Sequence, residues 1–103
     1  MRKADVYNFG IIAGQLEELE KGKTYKFIYF EDYNGPAISL SMPLNNKEYL
    51  FDSFPPFFEG LLPEGIQLEG LVRKAKLGKN DFMGQLVITG ADLVGSVTVV
   101  EAE

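Results

Sequence analysis

The spacing of apolar residues changes near the middle of this chain, and that change constrains the fold more than any other feature. In the first half, apolar side chains mostly alternate with polar ones, which is the pattern of strands that bury one face. From Leu68 onwards they recur at intervals of three and four residues, the period of an amphipathic helix. Strands followed by helices indicate an α+β fold, a small antiparallel β-sheet or partial barrel with two to three short helices.

Five segments are predicted to be strands: Lys3–Asn8, Ile11–Leu16, Thr24–Phe30, Ala37–Leu44 and Ser96–Glu101. The first two should pair as a hairpin, because Asn8-Phe9-Gly10 supplies a tight turn between them. The fourth alternates between apolar residues and serine, and Pro43 should end it or restrict it to a sheet edge. The charged residues Glu17–Lys23 are predicted to form a solvated connection between strands.

Two helices are predicted in the second half. Leu68, Leu71, Val72 and Ala75 form the apolar stripe of a helix from about Gly65 to Lys76. A second, short helix should begin after Asp81, whose side chain can cap it, and should end at Gly90.

The composition excludes several classes of function. The chain has 103 residues, the length of one domain, and its 10 Lys and Arg against 15 Asp and Glu leave a net charge of -5. Such a surface repels phosphate backbones and anionic lipid, so we expect no direct nucleic-acid partner and no membrane partner. No apolar stretch has the length of a signal peptide or a membrane span, and the cytoplasm is the expected compartment.

Two missing residue types limit the chemistry further. The chain has no histidine and no cysteine, which removes a Ser-His-Asp triad, a thiolate nucleophile and the usual zinc ligands. It also lacks the side chain most often used for proton transfer near neutral pH. We therefore expect no enzymatic activity, no cofactor and no metal site.

The stretch FPPFFEGLLPEG, Phe54–Gly65, has a structural and a functional interpretation. In the first, Pro55 and Pro56 start a short helix, its apolar residues cover the open face of the sheet, and Pro63 stops it. In the second, the rigid turn that closes on Pro-Glu-Gly lies on the surface, where apolar side chains are candidates for contact with another protein.

Three segments together resemble the N-terminal subdomain of HipA-family serine/threonine kinase toxins. They are SLSMPL, FFEGLLPEG and GADLVGSVTV, at Ser39–Leu44, Phe57–Gly65 and Gly90–Val99. The family has a Ser-Leu-Ser-x-Pro-Leu strand, a Phe-Phe-x-x-Leu-Leu-Pro-Glu/Asp motif and a Gly-x-Asp-x-x-Gly-Ala/Ser-Val turn in the same order. The match spans nearly the whole chain, and its departures are mild: Ser96 stands where alanine is common, and the first strands match only in pattern.

The resemblance implies one domain, residues 1–103, that acts on a kinase. The family's kinase core would follow this subdomain, and the sequence has no glycine-rich phosphate loop. A free-standing copy is similar to the small antitoxin of split HipBST systems, which binds and inhibits the kinase HipT and is accompanied by a DNA-binding protein, HipB. Two alternatives stay open: a scaffold, activating or substrate-recognition subunit of that kinase, or the excised N-terminal domain of a full-length HipA-like kinase.

The resemblance also implies where a partner would bind. In an intact family member the subdomain packs on the kinase lobe, so in separate chains this contact becomes an intermolecular interface. The predicted partner-binding residues are Phe58, Leu61, Leu62, Pro63, Glu64, Gly65 and Ile66. One hypothesis is that the turn from Leu62 to Ile66 projects toward the active-site cleft of the kinase, and the alternative is that these side chains fold inward.

The remaining charged residues have simpler interpretations. Asp92 is predicted to cap local backbone N–H groups in a turn, and the carboxylates from Glu17 to Glu20 lack the spacing of a calcium loop. A catalytic carboxylate pair would require Glu64 and Asp92 to meet in a cleft, which nothing in the sequence predicts. Four basic residues should complement a helix dipole or an acidic partner surface: Arg73, Lys74, Lys76 and Lys79.

Overall fold

The structure is a computed structural model that describes residues 2–62, 78, 81–90 and 95–102. The elements of these residues are β1 (Arg2–Asn8), β2 (Ile11–Glu20), β3 (Thr24–Tyr29), β4 (Glu48–Phe51), α1 (Pro56–Glu59), α2 (Phe82–Thr89) and β5 (Val97–Glu101). The strands form one sheet in the order β4-β3-β2-β1-β5, and every neighbouring pair is antiparallel. The prediction of an α+β fold with an antiparallel sheet is therefore confirmed.

The core lies on one face of the sheet. Along β3, buried Tyr25, Phe27 and Tyr29 alternate with half-buried side chains on the opposite face. The ring of Phe27 meets that of Tyr29 edge-on at a centroid distance of 4.8 Å, the geometry that aromatic quadrupoles favour. Because successive side chains point to opposite faces, the alternation in the sequence decides which face of the sheet the helices and loops cover.

The first hairpin has the turn that the sequence predicts. Asn8 pairs with Ile11, so Phe9 and Gly10 form a two-residue loop, and both have a positive φ, 53° and 79°. Positive φ at both positions is what the twist of a type I′ hairpin requires. The pairing then shifts between Val6 and Tyr7, which leaves Ala13 of β2 as the extra residue of a β-bulge.

The strand predicted at Ala37–Leu44 is wrong: these residues form turns, and the next strand is β4, which the sequence did not predict. A strand would place Ile38, Leu40 and Met42 on one face. Instead Ile38 and Met42 are buried while Leu40 is fully exposed, and the amide of Met42 donates to the carbonyl of Ser39 at 3.1 Å. The physical reason is the hydroxyl of Tyr29, which accepts from the amide of Ile38 at 3.1 Å and donates to the carbonyl of Met42 at 2.6 Å.

The second predicted short helix is confirmed as α2. Asp81 precedes it and accepts a hydrogen bond from the amide of Gly84 at 3.2 Å, as a capping side chain does. Gly90 ends it in a right-handed conformation, and a Cβ there would lie 2.0 Å from the carbonyl oxygen of Val99. Glycine at this position therefore permits the end of α2 to approach β5 closely.

The predicted helix from Gly65 to Lys76 lies outside the described residues. Neither α1 nor α2, and no other helix in the part of the chain that the structure describes, has the length and hydropathy needed to cross a membrane.

Candidate partner-binding surface

The short helix α1 forms as the two prolines predict. Pro56 occupies the first turn, where a missing amide hydrogen costs no helical bond, and the carbonyl of Pro55 accepts from the amide of Glu59 at 3.0 Å. The chain then tightens, because the amides of Leu61 and Leu62 donate three residues back, to Phe58 and Glu59, at 3.1 Å each. These hydrogen bonds fix the backbone as far as Leu62, and therefore the direction in which each side chain leaves it.

The three predicted binding residues that the structure describes have different surroundings. Phe58 is fully buried, with its ring centroid 5.9 Å from that of Phe27, and Leu62 is only 9% exposed. Leu61 is half-buried and packs against the edge of the core. Phe58 and Leu62 thus serve the core in this conformation, and their contact with a partner stays a prediction.

The other four predicted binding residues, Pro63, Glu64, Gly65 and Ile66, lie outside the described residues. Asp92 also lies outside them, so the structure does not test whether Glu64 and Asp92 form a carboxylate pair. The predicted basic residues lie outside the described residues as well: Arg73, Lys74, Lys76 and Lys79. We call the residues from Phe58 to Ile66 the candidate surface. Its described and accessible part is the segment Glu59–Leu61, in which Glu59 and Gly60 are exposed and Leu61 is half-buried.

Glu18 is buried, although the sequence predicts it in a solvated connection. The residues Glu17–Glu20 are the end of β2 rather than a solvated connection, and Glu18 is only 3% exposed. Its carboxylate accepts from Arg2 Nε at 2.7 Å and from Arg2 Nη2 at 2.9 Å. It also accepts from the amide of Gly22 at 3.2 Å and from the hydroxyl of Tyr25 at 3.1 Å. Continuing the alternation from Leu16 by two residues would have placed Glu18 on the inner face.

Arg2 connects this buried carboxylate to α2. Its Nη2 donates to Asp81 Oδ1 at 2.8 Å and its Nη1 donates to Asp81 Oδ2 at 3.2 Å. One guanidinium therefore holds the start of β1, the end of β2 and the cap of α2, elements that are far apart in sequence. We call these three residues the Arg2 cluster.

The pKa values in the Arg2 cluster show what it can do chemically. Burial alone would raise the pKa of Glu18, but the hydrogen bonds from Arg2, Gly22 and Tyr25 outweigh it and the pKa is lowered. The hydrogen bonds from Arg2 likewise lower the pKa of Asp81. Burial, and then the charge and hydrogen bond of Glu18, raise the pKa of Tyr25 to about 12. Neither carboxylate of the cluster, nor the neighbouring hydroxyl of Tyr25, titrates near neutral pH. The cluster is therefore suited to holding structure rather than to transferring protons.

Among the described residues, no group of three or more potential metal-ligating side chains lies close enough to hold an ion. Glu18 and Asp81, the two carboxylates of the Arg2 cluster, are both paired with Arg2.

Comparisons with known proteins cover almost the whole chain. A family model described as the HipA N-terminal domain matches residues 4–100. Among solved structures, one described as the N-terminal domain of HipA toxin superposes with a TM-score of 0.80 and is 28% identical; the match covers 100% of this chain and 94% of that one.

Two curated relatives differ greatly in length. A protein of Haemophilus influenzae that has no assigned function is 29% identical over 101 residues, covering 98% of this chain and 93% of the relative. The putative kinase Y4dM of Sinorhizobium fredii is 33% identical over 108 residues, covering 96% of this chain and only 26% of the kinase. The chain therefore spans nearly all of one relative and about a quarter of the other.

Proposed function

Because this chain belongs to the HipA N-terminal domain family, we propose that it is a HipS-like antitoxin of a bacterial toxin-antitoxin system. It binds a HipT-like serine/threonine kinase toxin in the cytoplasm, docks on the kinase domain and inhibits it. It performs no catalytic step itself. A HipB-like DNA-binding protein is the proposed third member of the complex, and through it the kinase rather than this chain reaches nucleic acid.

The length of the kinase relative carries this proposal. In the putative kinase of Sinorhizobium fredii, a segment like this chain makes up 26% of the protein. A domain within a longer chain contacts its neighbours through surfaces that resemble protein–protein interfaces. A separate chain with the same fold retains such a surface, and a kinase lacking this domain is the partner it fits.

The candidate surface begins where α1 ends. Glu59 and Gly60 are exposed and Leu61 is half-buried, so the described margin offers one apolar side chain beside solvent. Together with the predicted turn from Leu62 to Ile66, it would form part of an interface of the usual ~800 Å² on each partner. If the turn enters the active-site cleft of the kinase, it would prevent nucleotide binding, substrate binding or closure of the kinase lobes.

The test is a titration of the HipT-like kinase encoded beside this gene with the purified full chain, following phosphorylation and, by calorimetry, the binding stoichiometry. Loss of activity in step with a 1:1 complex would support the antitoxin. Binding with unchanged or raised activity would instead indicate a scaffold, activating or substrate-recognition subunit. Absence of binding would overturn the proposal.

A variant locates the surface within the same experiment. Leu61→Ala should weaken kinase binding by about 30-fold if Leu61 is a hot spot worth about 2 kcal/mol. Val100→Ala is the matched control, because Val100 is an exposed apolar residue of β5. If both variants bind the kinase with equal affinity, Leu61 does not belong to the interface. The proposal that the chain inhibits the kinase would still stand, because the titration tests it separately.

A further inference from the structure

A groove of about 370 Å³ opens where β2 ends, β3 begins and β4 ends, at one end of the sheet. Its two sides are lined by Leu19, Glu20 and Thr24 and by Leu50, Phe51 and Asp52. None of these residues belongs to the candidate surface from Phe58 to Ile66. The groove is therefore a second feature of the molecule, separate from the one proposed to bind a kinase.

The apolar lining of the groove includes, beside the half-buried Phe51 and the buried Tyr25, two leucines that the described residues leave uncovered. Glu18 pairs with Tyr25 and Glu20 pairs with Thr24, so Leu19 is an extra residue at a β-bulge and is 42% exposed. A bulge redirects the side chain of the extra residue. Leu50, on the edge strand β4, is 68% exposed. The two side chains border the same groove, which distinguishes them from apolar residues scattered singly over a surface.

The charged part of the groove is acidic. Glu20 and Asp52 are the charged residues among its described lining, and both are exposed. In the described part of the chain neither forms an ion pair. The nearby Lys21 lies beside Arg2 and Glu18 in a neighbouring cavity, and its charge acts on Asp81. Two free carboxylates beside two leucines favour an occupant that is both cationic and apolar.

We propose that this groove binds a segment of a partner protein in which an aliphatic side chain is flanked by lysine or arginine. The aliphatic side chain packs between Leu19 and Leu50, where it removes apolar surface from water. The flanking cations lie near Glu20 and Asp52, which select the segment by its charge. This gives the chain a second interaction surface that does not depend on the kinase contact.

Two synthetic nonapeptides, acetylated and amidated, test the proposal against the 15N-labelled full chain by NMR. One has a central Leu-Leu flanked by lysines, and in the other glutamates replace the lysines. The lysine peptide should shift the amide resonances of Leu19, Thr24 and Asp52. The glutamate peptide should bind at least tenfold more weakly, and Leu50→Ser should weaken the lysine peptide by a similar factor. Leu50 is exposed, so this change preserves the fold, and Val100→Ser on the opposite edge strand β5 is the matched control.

Four results would overturn the proposal. Equal binding of both peptides would mean apolar adhesion without charge selection. Shifts confined to other parts of the chain, or no binding of the lysine peptide, would remove the groove as a binding site. A dimer that sedimentation detects in the free chain and that Leu50→Ser abolishes would assign the groove to a second copy of the chain. Kinase inhibition by the Leu50→Ser variant, measured in parallel, keeps this outcome distinct from the proposed antitoxin function.

Discussion

At the scale of single residues, Phe9 stands out because it combines an unfavourable backbone conformation with an exposed ring. Its φ of 53° lies in the left-handed region, which crowds the Cβ of ordinary residues and is occupied mostly by glycine, asparagine and aspartate. The ring is 71% exposed and so gains little from burial within the domain. The fold tolerates the residue because the hairpin on either side determines the turn.

We predict that Phe9→Asn stabilises the protein by about 0.5–1 kcal/mol, since asparagine adopts this conformation more readily. The measurement is the free energy of unfolding in urea. Phe9→Ala is the control, because it removes the ring but keeps a side chain with the same backbone penalty, and we expect it to leave stability nearly unchanged. Destabilisation by the asparagine variant would mean that the ring contributes packing that its exposure does not reveal.

Leu61 and Leu62 are adjacent leucines with different surroundings. Leu62 is part of the core and Leu61 lies at its margin. We predict that Leu62→Ala lowers the free energy of unfolding by about 3 kcal/mol through lost burial and the cavity left behind. Leu61→Ala should cost about 1 kcal/mol or less, since a half-buried side chain loses less on truncation. Urea unfolding of both variants checks this, and equal losses would show that the two side chains are buried alike.

At the scale of elements, one hydroxyl decides the shape of the segment between β3 and β4. Tyr29 bonds both the amide of Ile38 and the carbonyl of Met42. These two bonds satisfy backbone groups that a strand would have paired with a neighbour. Burial raises the pKa of Tyr29, so the hydroxyl keeps its proton and continues to donate at all physiological pH values.

We predict that Tyr29→Phe destabilises the protein by about 2 kcal/mol, because it leaves two buried backbone groups without a partner. Hydrogen exchange at the amide of Ile38 should accelerate in step. Tyr49→Phe is the matched control: its hydroxyl also donates to a backbone carbonyl, that of Pro43, but at an exposed position where water can replace it. If both variants lose the same stability, the two hydrogen bonds of Tyr29 do not hold the segment between β3 and β4 in place.

At the scale of the whole molecule, the Arg2 cluster joins parts of the chain that no other described ion pair connects. Arg2 and Glu18 face each other across the β1–β2 pairing, and Asp81 belongs to the cap of α2. The cluster also makes stability depend on pH. Both carboxylates have pKa values below their ordinary 4.5 and 3.8, so the folded state binds protons less readily than the unfolded state.

The lowered pKa values of Glu18 and Asp81 make the folded protein less stable in acid. The stabilisation is complete above the ordinary values and is lost as the pH falls below them through the lowered pKa values of the folded protein. We predict that the free energy of unfolding declines from pH 5 to pH 3. Glu18→Gln should lower it by about 2 kcal/mol at pH 7, between the values for exposed and buried pairs. The variant should also flatten the acid decline. Urea unfolding at pH 7, 5 and 3 measures both, and a parallel loss at every pH would contradict the role of the Glu18 charge.

Where a structural feature depends on neighbours within a few residues, the sequence alone determined it. The turn at Phe9 and Gly10, the prolines that start α1 and the cap at Asp81 are local devices, and the structure places each where the pattern predicts. The switch from alternating to helical spacing likewise determined the α+β class. The spacing shows which segments are strands and which are helices, and which face of each must be covered. These features need no knowledge of what lies opposite in space.

Features that depend on residues distant in sequence were decided only by the tertiary structure. Glu18 is buried because β1 brings Arg2 beside it and α2 brings Asp81 to the same guanidinium. The predicted strand at Ala37–Leu44 is replaced by turns because Tyr29 supplies the hydrogen bonds. Leu62 rather than Leu61 enters the core because the turn after α1 directs it there. In each case the stabilising contact is made with a residue that only the folded chain brings near. The periodicity of a sequence describes one element at a time and does not predict such contacts.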